Sequence, residues 1–291
     1  MNLSGTGVWA GQLRYGDEGA IADAAAELDA LGYSALWIPD VGGDVLAAME
    51  HLLGAAPRAA VATGILNVWM HTPDEIATRR GSWSAEWQAR ALFGLGVSHA
   101  ALIDQSEPGK WTKPYSVMVE YLDGLDAASP SLPKESRALA ALGPRMLKLA
   151  RDRTTGVHPY LVPPEHSAVA REAVGPHALV ATEQAVVLET DAAVARAIAR
   201  QHLAIYLGLP NYTNNLLRLG FTEDDVAAPG SDRLVDAIVA WGDVDAIKTR
   251  VDAQRAAGAN HVCIQVLQAD YDLPSAVWRE LAPALTGSSA G

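Results

Sequence analysis

Short apolar runs alternate with stretches whose apolar residues recur every third or fourth position, almost from one end of the chain to the other. The runs predict strands at residues 6–11, 34–40, 59–67, 90–98, 137–143, 156–162, 178–189 and 261–268. The recurring pattern predicts helices at 17–33, 44–56, 116–128, 144–154, 165–175 and 191–207, with one more starting at 72. In the first helix Ile21, Ala24, Leu28 and Leu31 share a face, Asp17 stands at the capping position and Gly32 at the stop. Residues 104–115, "DQSEPGKWTKPY", break both periods and predict a loop that lids the structure. After the seventh run come residues 211–220 and two further helices, at 231–242 and 244–258, which read as an insertion before the eighth strand.

Near-continuous apolar runs belong to parallel strands buried on both faces, and intervening helices supply the crossovers. Eight of them predict an α/β fold closed as a (β/α)8 TIM barrel, with insertions, notably helices between strands 7 and 8. One domain is expected over residues 1–291. Active sites of such barrels lie at the C-terminal ends of the strands. That rule selects Trp9 and Gln12, Asp40, Asn67 to His71, Ser98 and His99, Gly143 to Met146, Tyr160, Glu183, and Gln265 to Gln268.

Composition narrows the partners. The net charge of −12 argues against nucleic-acid binding. No run approaches the roughly 18 apolar residues of a membrane span, and the first residues lack the pattern of a signal peptide. The single cysteine, Cys263, suits a reducing compartment, so a cytoplasmic protein acting on a small molecule is expected. The histidines show no metal-ligand spacing, so no metal is expected. "GVSHA" has the serine of a nucleophile elbow but Ala100 where the second glycine belongs, and a loop is expected after it. "GLGVSH" lacks the third glycine of a dinucleotide fingerprint.

Individual positions carry chemistry. His99 closes the fourth strand, where an imidazole near neutral pKa can donate a proton, with Ser98 beside it. Gly143 lets backbone approach a ligand, and the helix start after it, with Arg145 and Met146, suits an anion. Trp9, Trp69 and Met70 give the mouth an apolar wall for a hydrophobic substrate. Trp83 and Trp87 are read as packing, and Lys110, Trp111 and Tyr115 as solvated lid residues.

"GYSALWIPD", "VATGILNVWMHTPDEIA", "LFGLGVSHA", "VMVEYLDGLD", "ALAALGPRMLKLARDRTTGVHPYLVPPEH" and "AGANHVCIQVL", in this order, resemble the bacterial-luciferase-like flavin and deazaflavin oxidoreductases, most closely the coenzyme F420-dependent branch. The resemblance implies a homodimeric barrel with the cofactor at its C-terminal mouth. It also implies a non-prolyl cis peptide within Thr63, Gly64 and Ile65, set against the cofactor ring. Asn67 lies near that ring, Gly143, Arg145 and Met146 hold the cofactor's phosphate tail, and Thr155 and Gly156 match a short turn of the family. Asp40 takes the position of an acidic group near the reactive ring edge, but the histidine that often follows it is replaced by "VGGD". The implied activity is hydride transfer between F420 and a small hydrophobic substrate, with Asp40 or His99 managing the proton. The alternatives are an FMN-dependent monooxygenase and a non-catalytic barrel that binds such a ligand.

Overall fold

The structure, a computed structural model, describes residues 3–287. Its strands are β1 (Gly5–Trp9), β2 (Ala35–Ile38), β3 (Ala60–Thr63), β4 (Leu66–Asn67), β5 (Ala91–Gly96), β6 (Arg137–Leu139), β7 (Gly156–Val157), β8 (Leu179–Leu188), β9 (Ala240–Gly242) and β10 (His261–Val266). They pair in parallel in the order β10-β1-β2-β3-β5-β6-β7-β8, and β8 pairs with β10 to close the barrel. The third barrel strand is split. β3 pairs with β5 through Val61 and Ala62, and β4 resumes the pairing at Leu66 and Asn67. Between them the Gly64–Ile65 peptide is cis, within the triplet where the family resemblance puts such a bond.

Side-chain alternation sorts the strands into an interior and an outer face. Ala35 and Trp37 of β2, Ala62 of β3, Leu92 of β5, Ala138 of β6, Ala181 of β8 and Cys263 of β10 pack into one cluster inside the barrel. Leu36, Ile38, Val61, Phe93 and Val262, one position along on the same strands, join the helices outside. The interior is therefore a packed core, and a ligand can enter only at an end. Hydrogen-bonded caps fix where the surrounding helices begin. The Asp17 and Asp44 carboxylates accept from the backbone N–H of Ala20 and Ala47, and Thr72 with Glu75 forms a capping box.

The helices between β8 and β10 are Ala192–Tyr206, Pro210–Arg218, Glu223–Val226, Asp232–Ile238 and Val244–Ala256. They confirm the insertion and add a strand to it. The helical pattern predicted over 231–242 stops at Ile238, and Ala240–Gly242 extends to pair with Val186–Leu188 of β8. Helix Ala192–Tyr206 buries Ala195, Ala199 and Leu203, spaced by four, against Leu216, Leu234 and Val235 of its neighbours. Arg196 reaches Asp236 (2.9 Å) and Asp232 (2.8 Å), tying this helix to Asp232–Ile238.

The lid loop expected over 104–115 is half helical. Ala100–Ser106 forms a helix directly after Ser98 and His99, and Pro114–Ala127 begins at Pro114. A helix thus does follow the "GVSH" serine, whose φ of 51° is left-handed. The elbow is still incomplete, because no histidine is hydrogen-bonded to Ser98 among the described residues. Trp83 is buried and stacks near Phe93, as a packing residue should.

Candidate active site

A cavity of about 1030 Å³ opens at the C-terminal ends of the barrel strands. That is at the upper end of the usual range for ligand pockets, roughly 300–1,000 Å³. Of the residues singled out by sequence, Trp9, Gln12, Asp40, Gly64, Ile65, Asn67, Ser98, His99, Gly143, Met146, Tyr160 and Gln265 to Gln268 line it.

The floor is made of small residues and main chain. Gly64, Gly96, Ala140, Ala141 and Gly143 follow one another around it at the ends of successive strand segments. Gly64 cannot be larger. A Cβ there would strike the Trp9 indole and come within 2.9 Å of His158 Nε2. Trp9 holds this edge by donating its indole N–H to the Gly64 carbonyl at 2.9 Å. His158 lies flat on Trp37, with ring centroids 4.2 Å apart, and bonds the Ala181 carbonyl through Nδ1. Burial pushes its pKa down to about 4, so its unpartnered Nε2 is an acceptor at neutral pH.

Asp40 stands at the edge of this floor. Its Oδ2 accepts from the Asn67 N–H at 3.0 Å and from His71 Nε2 at 2.9 Å, while Oδ1 is buried with no partner. The histidine missing after Asp40 in the chain is therefore supplied by the loop after β4. The hydrogen bond to Asp40 raises the His71 pKa, opposed by burial and aided by the charges of Asp40, Glu75 and Asp44. The carboxylate is thus held by a main-chain donor and an imidazole, with its other oxygen buried and unpartnered. Asn67 turns its own Oδ1 back to the Trp69 N–H at 3.1 Å, which closes the turn after β4.

The other predicted residues lie elsewhere. Thr63 is buried and donates to the Gly94 carbonyl of the next strand at 2.9 Å, away from the cavity. Trp69 packs on the outer core and donates to the Val97 carbonyl at 2.7 Å, and Met70 is exposed; neither lines the cavity. Trp111 donates to the same Val97 carbonyl. Arg145 stacks its guanidinium on the Tyr115 ring, 4.1 Å from its centroid. The helix Pro144–Arg153 points that side chain outwards, so it is not the charge at the cavity. Arg218 takes that place, with a terminal nitrogen about 4.0 Å from where a Gly143 Cβ would sit. Gly156 begins β7 and Thr155 precedes it, at the opposite end of the barrel from the mouth, and the glycine there is required because a Cβ would overlap the Leu179 backbone.

Facing the floor is a wall that the strand rule reaches only at Tyr160. Helix Ala192–Tyr206 turns Ile198, His202, Ile205 and Tyr206 to the cavity, a second stripe beside the buried one. Helix Pro210–Arg218 adds Tyr212 and Arg218. Tyr160, just past β7, joins them. Its hydroxyl donates to Gln265 Oε1 at 2.8 Å and so accepts from the Tyr206 hydroxyl at 2.9 Å. The ring centroids of Tyr160, Tyr206 and Tyr212 lie 5.2–6.3 Å apart, with Tyr206 and Tyr212 edge to face and the other two pairs tilted. His99, from the opposite side, comes within 5.3 Å of Tyr212, and burial lowers its pKa, keeping it neutral. Below the wall Glu183 is buried inside the barrel. Its Oε2 accepts from the Leu161 N–H at 3.1 Å, Oε1 has no partner, and desolvation raises its pKa to about 8. The helical period in 191–207 contains the signal for this wall: residues 198, 202 and 205 keep a stripe that the buried stripe leaves unused.

Among the described residues no helix is long and apolar enough to cross a membrane. A sequence profile described as luciferase-like monooxygenase matches residues 4–261. No curated protein matches the chain in sequence. Solved structures with the same fold include an F420-dependent secondary alcohol dehydrogenase bound to an F420–acetone adduct, with TM-score 0.73 and 13% identity over 97% of this chain and 99% of that one. A coenzyme F420-dependent tetrahydromethanopterin reductase from Methanopyrus kandleri has TM-score 0.70 and 15% identity, over 98% and 99% of the two chains. The oxygenating constituent of 3,6-diketocamphane monooxygenase from Pseudomonas putida, in complex with FMN, has TM-score 0.70 and 13% identity over 97% of both chains.

Proposed function

The chain belongs to the luciferase-like monooxygenase family, and from that premise we propose that it is a coenzyme F420-dependent oxidoreductase moving a hydride to or from a hydrophobic organic substrate. The residues present fit a flat tricyclic ring. The floor of Gly64, Gly96, Ala140 and Ala141 leaves room against the barrel end, and side chains larger than glycine are excluded at Gly64. The unpaired N–H groups at the start of Pro144–Arg153, with Arg218 across from Gly143, suit the phosphate of the tail. When bound, the cofactor supplies or accepts the hydride, and the protein orients it and excludes water.

The observation that carries the reading is Asp40. Interconverting an alcohol and a carbonyl moves one proton with each hydride. A buried carboxylate with one uncommitted oxygen, on a residue that lines the cavity, is suited to take and return that proton. Oxygenation with FMN also passes protons, to the oxygen atom that leaves as water, and is the second reading. His71 and the Asn67 N–H keep Asp40 in one orientation. His99, neutral and beside Tyr212, is the second group able to pass a proton. A homodimer is part of the same proposal, and sedimentation velocity tests it.

Fluorescence-quenching titrations with F420 and with FMN test the reading. Micromolar binding of F420 and none of FMN is the expected result. The reverse moves the protein to the monooxygenase reading. F420 binding without turnover over a broad alcohol and enone panel supports a non-catalytic barrel, and binding of neither overturns all three.

A further inference from the structure

Resting on that cofactor reading, we infer that the aromatic wall of the inserted helices is the substrate subsite, and that the substrate is an extended apolar compound with one hydrogen-bonding oxygen, not a small one. Three observations converge. First, the tyrosine rings stand 5.2–6.3 Å apart and fill the space between one another. A cage for a cation needs a gap between its rings, so the cluster offers a continuous surface to an apolar or aryl body.

Second, the hydroxyls on that surface are unequally used. Tyr160 gives its proton to Gln265, and Tyr206 gives its proton to Tyr160. The Tyr212 hydroxyl has no hydrogen bond among the described residues. It is the one tyrosine of the three with a donor left for a ligand oxygen. Burial raises the Tyr212 pKa well above its ordinary value, so the proton stays on it.

Third, the opening is ringed by large apolar side chains that face water. Val41 is 72% exposed, Ile205 65%, Tyr271 62% and Leu102 51%. They come from four separate segments, after β2, on the inserted helix, after β10 and after β5, and all four line the same cavity. Apolar side chains scattered singly over a surface need no explanation, but four separate segments meeting at one opening do. The rim is continuous with the wall, so an apolar body whose oxygen meets Tyr212 leaves through this ring and is covered by it.

The probes are acetophenone and its analogues of increasing alkyl length, each paired with the hydrocarbon lacking the oxygen. Binding is measured by calorimetry to the wild-type protein, with and without F420. Affinity is expected to rise roughly fourfold per methylene until the chain clears the rim. Tyr212→Phe should weaken the ketones about tenfold and leave the hydrocarbons unchanged. Ile205→Glu, on an exposed helix face, should flatten the length dependence while short members bind as before. Affinity that does not change with length, equal weakening of ketones and hydrocarbons by Tyr212→Phe, or no binding anywhere in the series overturns the inference. Cofactor titration is read separately. If the series behaves as expected while F420 fails to bind, the cofactor reading falls and the subsite stands; the reverse result removes the subsite alone.

Discussion

The floor and the wall of the cavity are built in opposite ways. The floor is main chain and small residues at the ends of barrel strands, and its shape is set by the hydrogen-bonded ladder beneath it. The wall is large side chains on two inserted helices, and its shape is set by how those helices pack. A floor of backbone cannot vary without disturbing the barrel. A wall of side chains can change one residue at a time. The division suits a protein that keeps one cofactor surface and selects substrates on the other side.

This contrast is most vulnerable at Gly64. Gly64→Val drives a side chain into Trp9 and His158, and cofactor affinity should fall by at least about tenfold, with an overpacking cost of about 1–3 kcal/mol. Circular dichroism should still report a folded barrel. Unchanged F420 quenching in the folded variant would show that the floor does not face the ring.

Asp40→Asn removes the charge and keeps the shape. Turnover should drop by roughly 10²–10⁴ with cofactor affinity nearly unchanged. The imidazole resonances of His71 supply an independent readout, because without the carboxylate its raised pKa returns towards the ordinary value. An equal loss of turnover and cofactor affinity would make Asp40 part of the floor instead.

Glu183 tests what lies under the wall. Its folded pKa of about 8 is above the ordinary carboxylate value, so the folded state keeps a proton that the unfolded chain releases. Stability is therefore lost as pH rises from about 4.5 through 8. Glu183→Gln keeps the acceptor for the Leu161 N–H and should be more stable than the parent by about 1–3 kcal/mol at pH 9, with little difference at pH 4.5. Melting curves of both proteins at the two pH values decide it. An advantage independent of pH would mean the carboxyl is already solvated.

The smallest expected effect lies on the boundary between the two regions. Arg218 sits on a wall helix but faces Gly143 of the floor. Arg218→Leu should weaken F420 about fivefold to tenfold and make its affinity less sensitive to salt. No change in either would leave the tail held by the helix start alone.

Much of the floor is legible in the amino-acid sequence. The apolar runs locate every barrel strand, the rule for barrel mouths then points to Asp40, Ser98, His99 and Gly143, and the family resemblance adds Gly64. The sequence misleads where a position near a strand is not a position at the mouth. Thr155 and Gly156, named by the family resemblance, stand at the start of β7 as the apolar run predicts and away from the mouth, and Arg145 sits on a helix turn that aims it at Tyr115. The helix Ala100–Ser106 is hidden because its seven residues are too few to show a period among loop-forming neighbours.

The chain by itself encodes what its local periods display: strand alternation, helix stripes and caps, and hence a barrel with an insertion. These depend on residues two, three or four apart, which any single sequence shows. Which distant groups meet is settled by tertiary packing. Asp40 finds His71 across 31 residues, Tyr160 finds Tyr206 across 46 and Gln265 across 105. A hydrogen bond acts over about 3 Å and leaves no mark in sequence spacing, so only the folded chain shows which donor reaches which acceptor.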